Sequence, residues 1–227
     1  MTEQPQTSDA LTARALLGMI AYLELAAFSR LARDAALAPT LGERLRLSGM
    51  ARGALEQMDR VEARVVELGG ERGGGLEAAM TPFAGVLVDF DERTEPGSWW
   101  ERLLKAYVGY GVADDFCRVL ARPLDPQTRA LAEDVLDDAA LAELVTCNLQ
   151  AAGTDDATLT SRLALWGRRL FGESLGVVQQ VLTAHPPTRD LLVQAMEDGE
   201  PGEAQTRLFT ELTAAHTRRM DRLGLTA

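Results

Sequence analysis

Apolar residues recur every three or four positions along almost the whole chain, and runs of alternating β-branched residues are nearly absent, which predicts helices and no sheet. The stripes predict a first helix over residues 9–36, a second over 41–68, a third over 98–122 and a fourth over 126–151. After Gly153-Thr-Asp-Asp156 a fifth runs to 184, followed by a short sixth over 188–198 and a last over 203–223. Start signals sharpen these bounds. Thr40-Leu-Gly-Glu43 and Ser98-Trp-Trp-Glu101 fit the capping box, in which a hydroxyl and a carboxylate satisfy the first free backbone amides. Asp125 stands as an N-cap before Pro126, and Thr188 after Pro186-Pro187 is expected to do the same work. The run Gly69-Gly-Glu-Arg-Gly-Gly-Gly75 reads as a flexible connection, and Leu76 to Arg93 as a segment with a short helix crossing the bundle. No fixed-period repeat emerges, which argues against a solenoid.

Most of the stripes carry a polar intruder. On the first helix Ile20, Leu23, Ala27, Phe28 and Leu31 form the expected buried face, and Glu24 lies among them as the one ionisable side chain between Ala15 and Phe28. The second helix offers Leu47, Met50, Ala51, Ala54, Met58, Val61 and Val65, interrupted by Gln57, and the fourth offers Leu131, Val135, Ala142, Val145 and Leu149, interrupted by Asp138. The third helix presents Leu104, Val108, Gly111 and Asp115 on one face or Leu103, Tyr110 and Asp114 on another, and periodicity does not choose between them. A carboxylate in an apolar stripe is costly unless it is paired, protonated or bound to a metal. Oxygen-bearing side chains on four helices resemble the geometry of a carboxylate-bridged dimetal site, which also takes a Glu-x-x-His pair from each of two helices. The histidine half of that set is missing. His185 and His216 read as surface or capping residues, Trp99, Trp100 and Trp166 as core anchors, and Arg168-Arg169 and Arg218-Arg219 with Arg222 as solvated helix faces.

Composition narrows the partners. The chain has 227 residues, 46% apolar, enough for one core, and residues 9–227 read as a single helical domain behind a disordered tail over 1–8. With 23 Lys plus Arg against 34 Asp plus Glu, a net charge of -11 gives no global field toward nucleic acid or an anionic membrane. The start, Met1-Thr-Glu-Gln-Pro-Gln-Thr7, lacks the basic and apolar regions of a secretory signal, and no apolar run reads as a membrane span. Cys117 and Cys147 sit within expected helices and read as reduced core thiols of a cytoplasmic protein.

Several segments, in order and covering nearly the whole chain, resemble one family: actinobacterial ferritin-like proteins similar to the tRNA methylthio-isopentenyl-adenosine hydroxylases. They are Ala21-Tyr-Leu-Glu-Leu-Ala-Ala-Phe28, Leu37-Ala-Pro-Thr40, Lys105-Ala-Tyr-Val-Gly109, Ala113-Asp-Asp-Phe116, Leu124-Asp-Pro-Gln-Thr-Arg129, Leu163-Ala-Leu-Trp-Gly-Arg-Arg-Leu170 and Ala215-His-Thr-Arg-Arg-Met220. The resemblance implies an all-α fold, a ferritin-like four-helix bundle with additional C-terminal helices, and in better-preserved members a non-haem diiron oxygenase. The long connection between the second and third helices suits that bundle's crossover. By resemblance Glu24 takes the first-helix glutamate position. Ala54-Leu-Glu-Gln57 stands where Glu-x-x-His belongs, and Asp138-Ala-Ala-Leu141 where Asp-x-x-His belongs. Either Asp115 or Tyr110 marks the third-helix ligand.

Alanine and leucine offer no donor atom, and neutral glutamine is a poor substitute for imidazole at iron. Glu24, Asp115 and Asp138 are therefore expected to form, at most, a vestigial oxygen-only site for a weakly bound divalent metal, with no other cofactor. Glu24 is expected to pair with Gln57 or a tyrosine hydroxyl, and Ala54, Gln57, Tyr110 and Leu141 to line a vacated pocket. Three functions follow as expectations: a non-catalytic scaffold or oligomerisation partner of a ferritin-like chain, a metal-dependent hydroxylase with an unorthodox ligand set, or a small-molecule module using that pocket. Nucleic acid is disfavoured by charge, with tRNA left open.

Overall fold

The computed structural model describes residues 4–69, 74–154, 156–197 and 200–227, with side chains from Asp9 onward. Among them there is no strand. The helices are α1 (Gln4–Leu37), α2 (Leu41–Glu67), α3 (Gly75–Met80), α4 (Val88–Arg93), α5 (Trp99–Leu104), α6 (Gly111–Ala121), α7 (Pro126–Val135), α8 (Ala139–Gly153), α9 (Ala157–Ala184), α10 (Pro186–Met196) and α11 (Pro201–Arg222). A 3-10 turn, Thr81–Phe83, follows α3, and a π-helical turn, Lys105–Gly109, joins α5 to α6. α1 starts at Gln4, inside the segment expected as a tail, and residues 1–3 lie outside the described residues, as does most of the glycine-rich connection. The chain groups into two compact units: Met1–Gly85, Cys117–Asp137 and His185–Glu197 in the first, and Val86–Phe116, Asp138–Ala184 and Asp198–Ala227 in the second.

In the first unit α1 and α2 form a hairpin. The expected capping box closes its turn: the Glu43 amide donates to Thr40 Oγ1 at 3.2 Å, and the Thr40 amide donates to Glu43 Oε2 at 3.1 Å. Arg44 donates to the carbonyls of Ala35 and Ala36, satisfying the end of α1. Leu16, Leu17, Ile20, Leu47, Val61 and Val65 are almost wholly buried, whereas Leu23, Ala27 and Phe28 are only half-buried. Each fully buried leucine or isoleucine contributes roughly 1.5–3 kcal/mol. Gly18 lets α3 approach: a Cβ there would lie 2.1 Å from the Ala79 carbonyl oxygen. Asp125 caps α7 through the amides of Gln127 and Thr128. Arg64 of α2 holds it at 2.9 Å and donates to Thr128 Oγ1 at the same distance. Burial acts to raise the Asp125 pKa, but the Thr128 hydrogen bonds and the Arg64 charge bring it below the ordinary value.

One expectation fails in α1. A stretch within Asp9–Leu37, mean hydropathy 1.5, is long and apolar enough to cross a membrane by length and composition alone. The same residues bury Leu16, Leu17 and Ile20 within the first unit, and 44% of the apolar stretch is buried.

Where the sequence promised unbroken helices, the chain departs twice. In the third helix the Tyr110 amide donates to the Lys105 carbonyl, five residues back, and the wider turn leaves Leu103 to Val112 buried on every side. Two candidate faces were legible because both are buried. The turn also diverts the Ala113 amide to the Tyr110 carbonyl, and the Ser174 hydroxyl of α9 shares its one hydrogen between the Gly109 carbonyl at 2.9 Å and its own helix's Leu170 carbonyl at 2.8 Å. The fourth helix is two helices, α7 and α8, broken at Leu136-Asp137-Asp138. Arg118 donates to the Leu136 carbonyl, taking the acceptor a continuous helix would give to residue 140, and aspartates are poor helix-interior residues.

Smaller corrections concern single side chains. Thr188 is not an N-cap: α10 begins at Pro186, and Thr188 donates to the His185 carbonyl at 2.7 Å. The Ser98 hydroxyl accepts from the Glu101 amide, but the Glu101 carboxylate reaches the Gly97 amide, one residue before the cap. Trp99, Trp100 and Trp166 are half-buried rather than core anchors, with Trp166 Nε1 donating to the Glu101 carbonyl at 3.3 Å. Cys117 is buried, Cys147 is exposed, and no disulfide joins them.

Candidate functional site

The second unit places the polar chemistry of α6, α8 and α11 in one cluster. Asp115 lies four residues into α6, and Asp138 is the N-cap residue of α8, its side chain not engaged in capping. Both carboxylates converge on Arg219 of α11. Arg219 Nη1 bonds Asp115 Oδ2, Nη2 lies 3.0 Å from Asp115 Oδ1, and the same Nη2 is 3.6 Å from Asp138 Oδ2. The Arg219 side chain is 8% exposed.

This placement follows from the stripe of α11. Leu208, Leu212, His216, Arg219, Met220 and Leu223 fall at helical spacing and are all buried, so the arginine enters the core with its apolar neighbours. Gly111 leaves the space: a Cβ there would stand 2.8 Å from Arg219 Nε. Tyr107 lies under the guanidinium, 5.7 Å from ring centroid to carbon, and its hydroxyl accepts from Arg222 Nη1 at 3.3 Å. Burial acts against the charge of Arg219, yet the Asp115 hydrogen bond and the Asp115, Asp138 and Asp114 charges raise its pKa overall. It is a permanent cation.

His216, one turn earlier, is 3% exposed and stacks on Phe171 at 4.2 Å and 7°. Neither ring nitrogen has a hydrogen-bond partner among the described residues. Burial, then the Arg219 charge, lowers its pKa to about 4, so it is neutral at physiological pH. The reading of His216 as a surface residue is overturned, and so is that of Arg219 as part of a solvated face. His185 is half-buried against Phe83, ring centroids 4.7 Å apart.

A second cluster surrounds the π turn. Lys105 is 3% exposed, its ammonium 2.7 Å from Asp91 Oδ1 and 5.0 Å above the Phe90 ring. Tyr110 donates to the same Asp91 oxygen, which fixes its hydroxyl there. Of the two third-helix candidates, then, Asp115 faces Arg219 and Tyr110 faces Asp91.

The remaining candidates belong to the first unit, except Leu141, which is half-buried on α8. Glu24 is half-buried on α1, Ala54 is 6% exposed, and Gln57 accepts a hydrogen bond from Arg60 Nη1 at 2.6 Å. Tyr22 accepts from the Gly85 amide at 2.9 Å. A cleft of about 570 Å3 in the same unit is lined by Asp9, Ala13, Arg64, Asp125, Leu191 and Gln194 among others, and none of Glu24, Ala54 and Gln57 lines it. Among the described residues no three His, Cys, Asp or Glu side chains gather into a group able to hold a metal ion.

The sequence reading missed Arg219, Lys105, Asp91 and Tyr107. The position of Arg219 on the Leu208–Leu212–His216 stripe was the available signal; for Lys105 nothing short of the π turn reveals burial on all sides.

Among the described residues the elements are helical and none is a strand, which defines the class as an all-α bundle protein. The chain belongs to the ferritin-like domain family of actinomycetes, whose sequence model matches residues 10–195. No curated protein matches the chain.

Proposed function

We propose that this protein is a ferritin-like scaffold whose inward carboxylates are neutralised by its own cations, and that it works by association with another chain rather than by iron chemistry. The observation that carries the reading is Arg219 seated between Asp115 and Asp138. A guanidinium cannot lose its charge in a protein, so a metal ion at those oxygens would meet a fixed positive group. As they stand, these residues do not fit an iron pair. The likeness to tRNA hydroxylases then describes ancestry of the bundle, and the net charge of -11 adds no attraction to tRNA.

Association is supported by the tip of the α1–α2 hairpin, where Leu37, Leu41 and Leu45 are 55%, 71% and 65% exposed. Exposed apolar surface of this kind is what an association site would use. A second reading, a small-molecule module, is favoured by the cleft beside Arg64 and Asp125 rather than by the Ala54 position.

Metal analysis tests the proposal. Protein purified from cells grown with added iron should carry less than a tenth of an iron per chain, a rough threshold for adventitious binding to exposed carboxylates. Near two irons per chain, with a ligand-to-metal absorption band, would overturn it.

A further inference from the structure

The cleft of about 570 Å3 in the first unit is walled by residues about one helical turn apart: Asp9 and Ala13 of α1, Arg64 and Leu68 at the end of α2, and Leu191 and Gln194 of α10. Pro123, Leu124 and Asp125, in the turn between α6 and α7, add a further wall. The volume is that of a small-molecule site, and Ala10, Ala13, Leu68, Pro123, Leu124 and Leu191 give it an apolar lining. Its charge is negative in balance, with Asp9 and Asp125 against Arg64. That guanidinium is already matched, lying 2.9 Å from Asp125 and 2.8 Å from Glu67 while its Nε donates to Thr128. The nearby Arg14, next to Ala13 on α1, donates to the Gly69 carbonyl at 3.2 Å. Asp125 Oδ1 accepts from Arg64 and from the amides of Gln127 and Thr128. Its Oδ2 accepts from the Thr128 hydroxyl alone among the described residues, which leaves a lone pair for a further donor. Helix ends strengthen the field: α2, α6 and α10 finish at Glu67, Ala121 and Met196, within a few residues of the lining, and a helix C-terminus carries partial negative charge.

We infer that this cleft binds an amphipathic organic cation, an apolar body carrying an ammonium head. The inference rests on the small-molecule reading of the cleft and names its ligand class; the scaffold reading stands or falls apart from it. The apolar body covers Leu124 and Leu191, and the ammonium donates to Asp125 Oδ2, with Asp9 acting on it through charge rather than contact. An anionic head meets two carboxylates and a guanidinium that Asp125 and Glu67 already neutralise. A neutral molecule of the same shape gains the apolar contact alone.

The test uses the full chain, isotope-labelled for amide NMR and titrated with phenylethylammonium, phenylpropanoate or phenylethanol, which share a ring and differ in head-group charge. Phenylethylammonium should move the amide signals of Ala13, Leu68, Leu124 and Leu191 with a midpoint of about 1–10 mM, the affinity expected of so small a ligand. Phenylethanol should bind about threefold more weakly and phenylpropanoate about tenfold more weakly, as one charge is lost and then reversed. Asp125→Asn keeps a capping oxygen without the charge and should weaken phenylethylammonium about fivefold. Asp9→Lys, at an exposed position, should weaken it by a similar factor while leaving phenylethanol unchanged. Phenylpropanoate binding as tightly as phenylethylammonium, or either folded variant leaving the phenylethylammonium midpoint where it was, would overturn the inference. Should Asp125→Asn not fold, Asp9→Lys decides alone. No signal moved by any of the three probes, or movement only outside the cleft, would remove the small-molecule reading as well, so the two failures are told apart.

Discussion

His216 has the most constrained chemistry of any single side chain here: its imidazole is held neutral by burial and by a neighbouring cation. A histidine whose folded pKa is about 4, against an ordinary 6.5, binds fewer protons in the folded state between those values. Its contribution to stability is therefore complete above pH 6.5 and is lost as pH falls toward 4, at up to about 1.4 kcal/mol per unit. Denaturant midpoints measured from pH 7.5 to 4.5 should fall more steeply for the wild type than for His216→Leu; parallel curves would mean that the imidazole is solvated. Gly111 makes a sharper case. Since its added Cβ would stand 2.8 Å from Arg219 Nε, Gly111→Ala should cost about 1–3 kcal/mol by displacing the guanidinium, read as a lowered urea midpoint. Neither role is visible from composition. A histidine and an arginine four and seven residues after Leu212 look like polar residues on an exposed helix until the stripe through Leu208, Leu212 and Leu223 is followed to its end.

Helices were legible because periodicity and caps agree locally. The Thr40 box ties the start of α2 to the end of α1, and Thr40→Ala should cost about 1 kcal/mol, measured as a shift in thermal midpoint. What the pattern did not contain are the places where a helix is interrupted by a distant partner. Arg118 removes the Leu136 carbonyl from the α7–α8 register, and Ser174 takes the Gly109 carbonyl that the π turn releases. Ser174→Ala should remove the hydroxyl that the Gly109 carbonyl shares with the Leu170 carbonyl and cost about 1–3 kcal/mol, more than the exposed cap, although the two changes remove one hydroxyl each. Equal costs would show that water reaches Gly109. Spacing could not choose between Tyr110 and Asp115 because the two side chains serve different partners: Tyr110 closes the π turn beside Lys105 and Asp91, and Asp115, on the regular helix that follows, meets Arg219.

At the scale of the whole molecule, the ferritin-like family is given by the match over residues 10–195, and the scaffold proposal turns on where the positive charges sit. In a chain of net charge -11 two cations are nevertheless buried: Arg219 against the partly buried Asp115 and Asp138, and Lys105 against Asp91, whose side chain is 43% exposed. If the α1–α2 tip is the partner face, Leu41→Glu with Leu45→Glu should lower the mass measured by light scattering to that of one chain, and an unchanged mass would remove that face from the account. The central claim, that a guanidinium holds Asp115 and Asp138 together, is tested most directly by diffraction from crystals grown with iron and manganese, using anomalous scattering at each metal's edge. The account predicts guanidinium density between the two carboxylates and no anomalous peak there; a metal peak bridging Asp115 and Asp138, with Arg219 turned away, would contradict it.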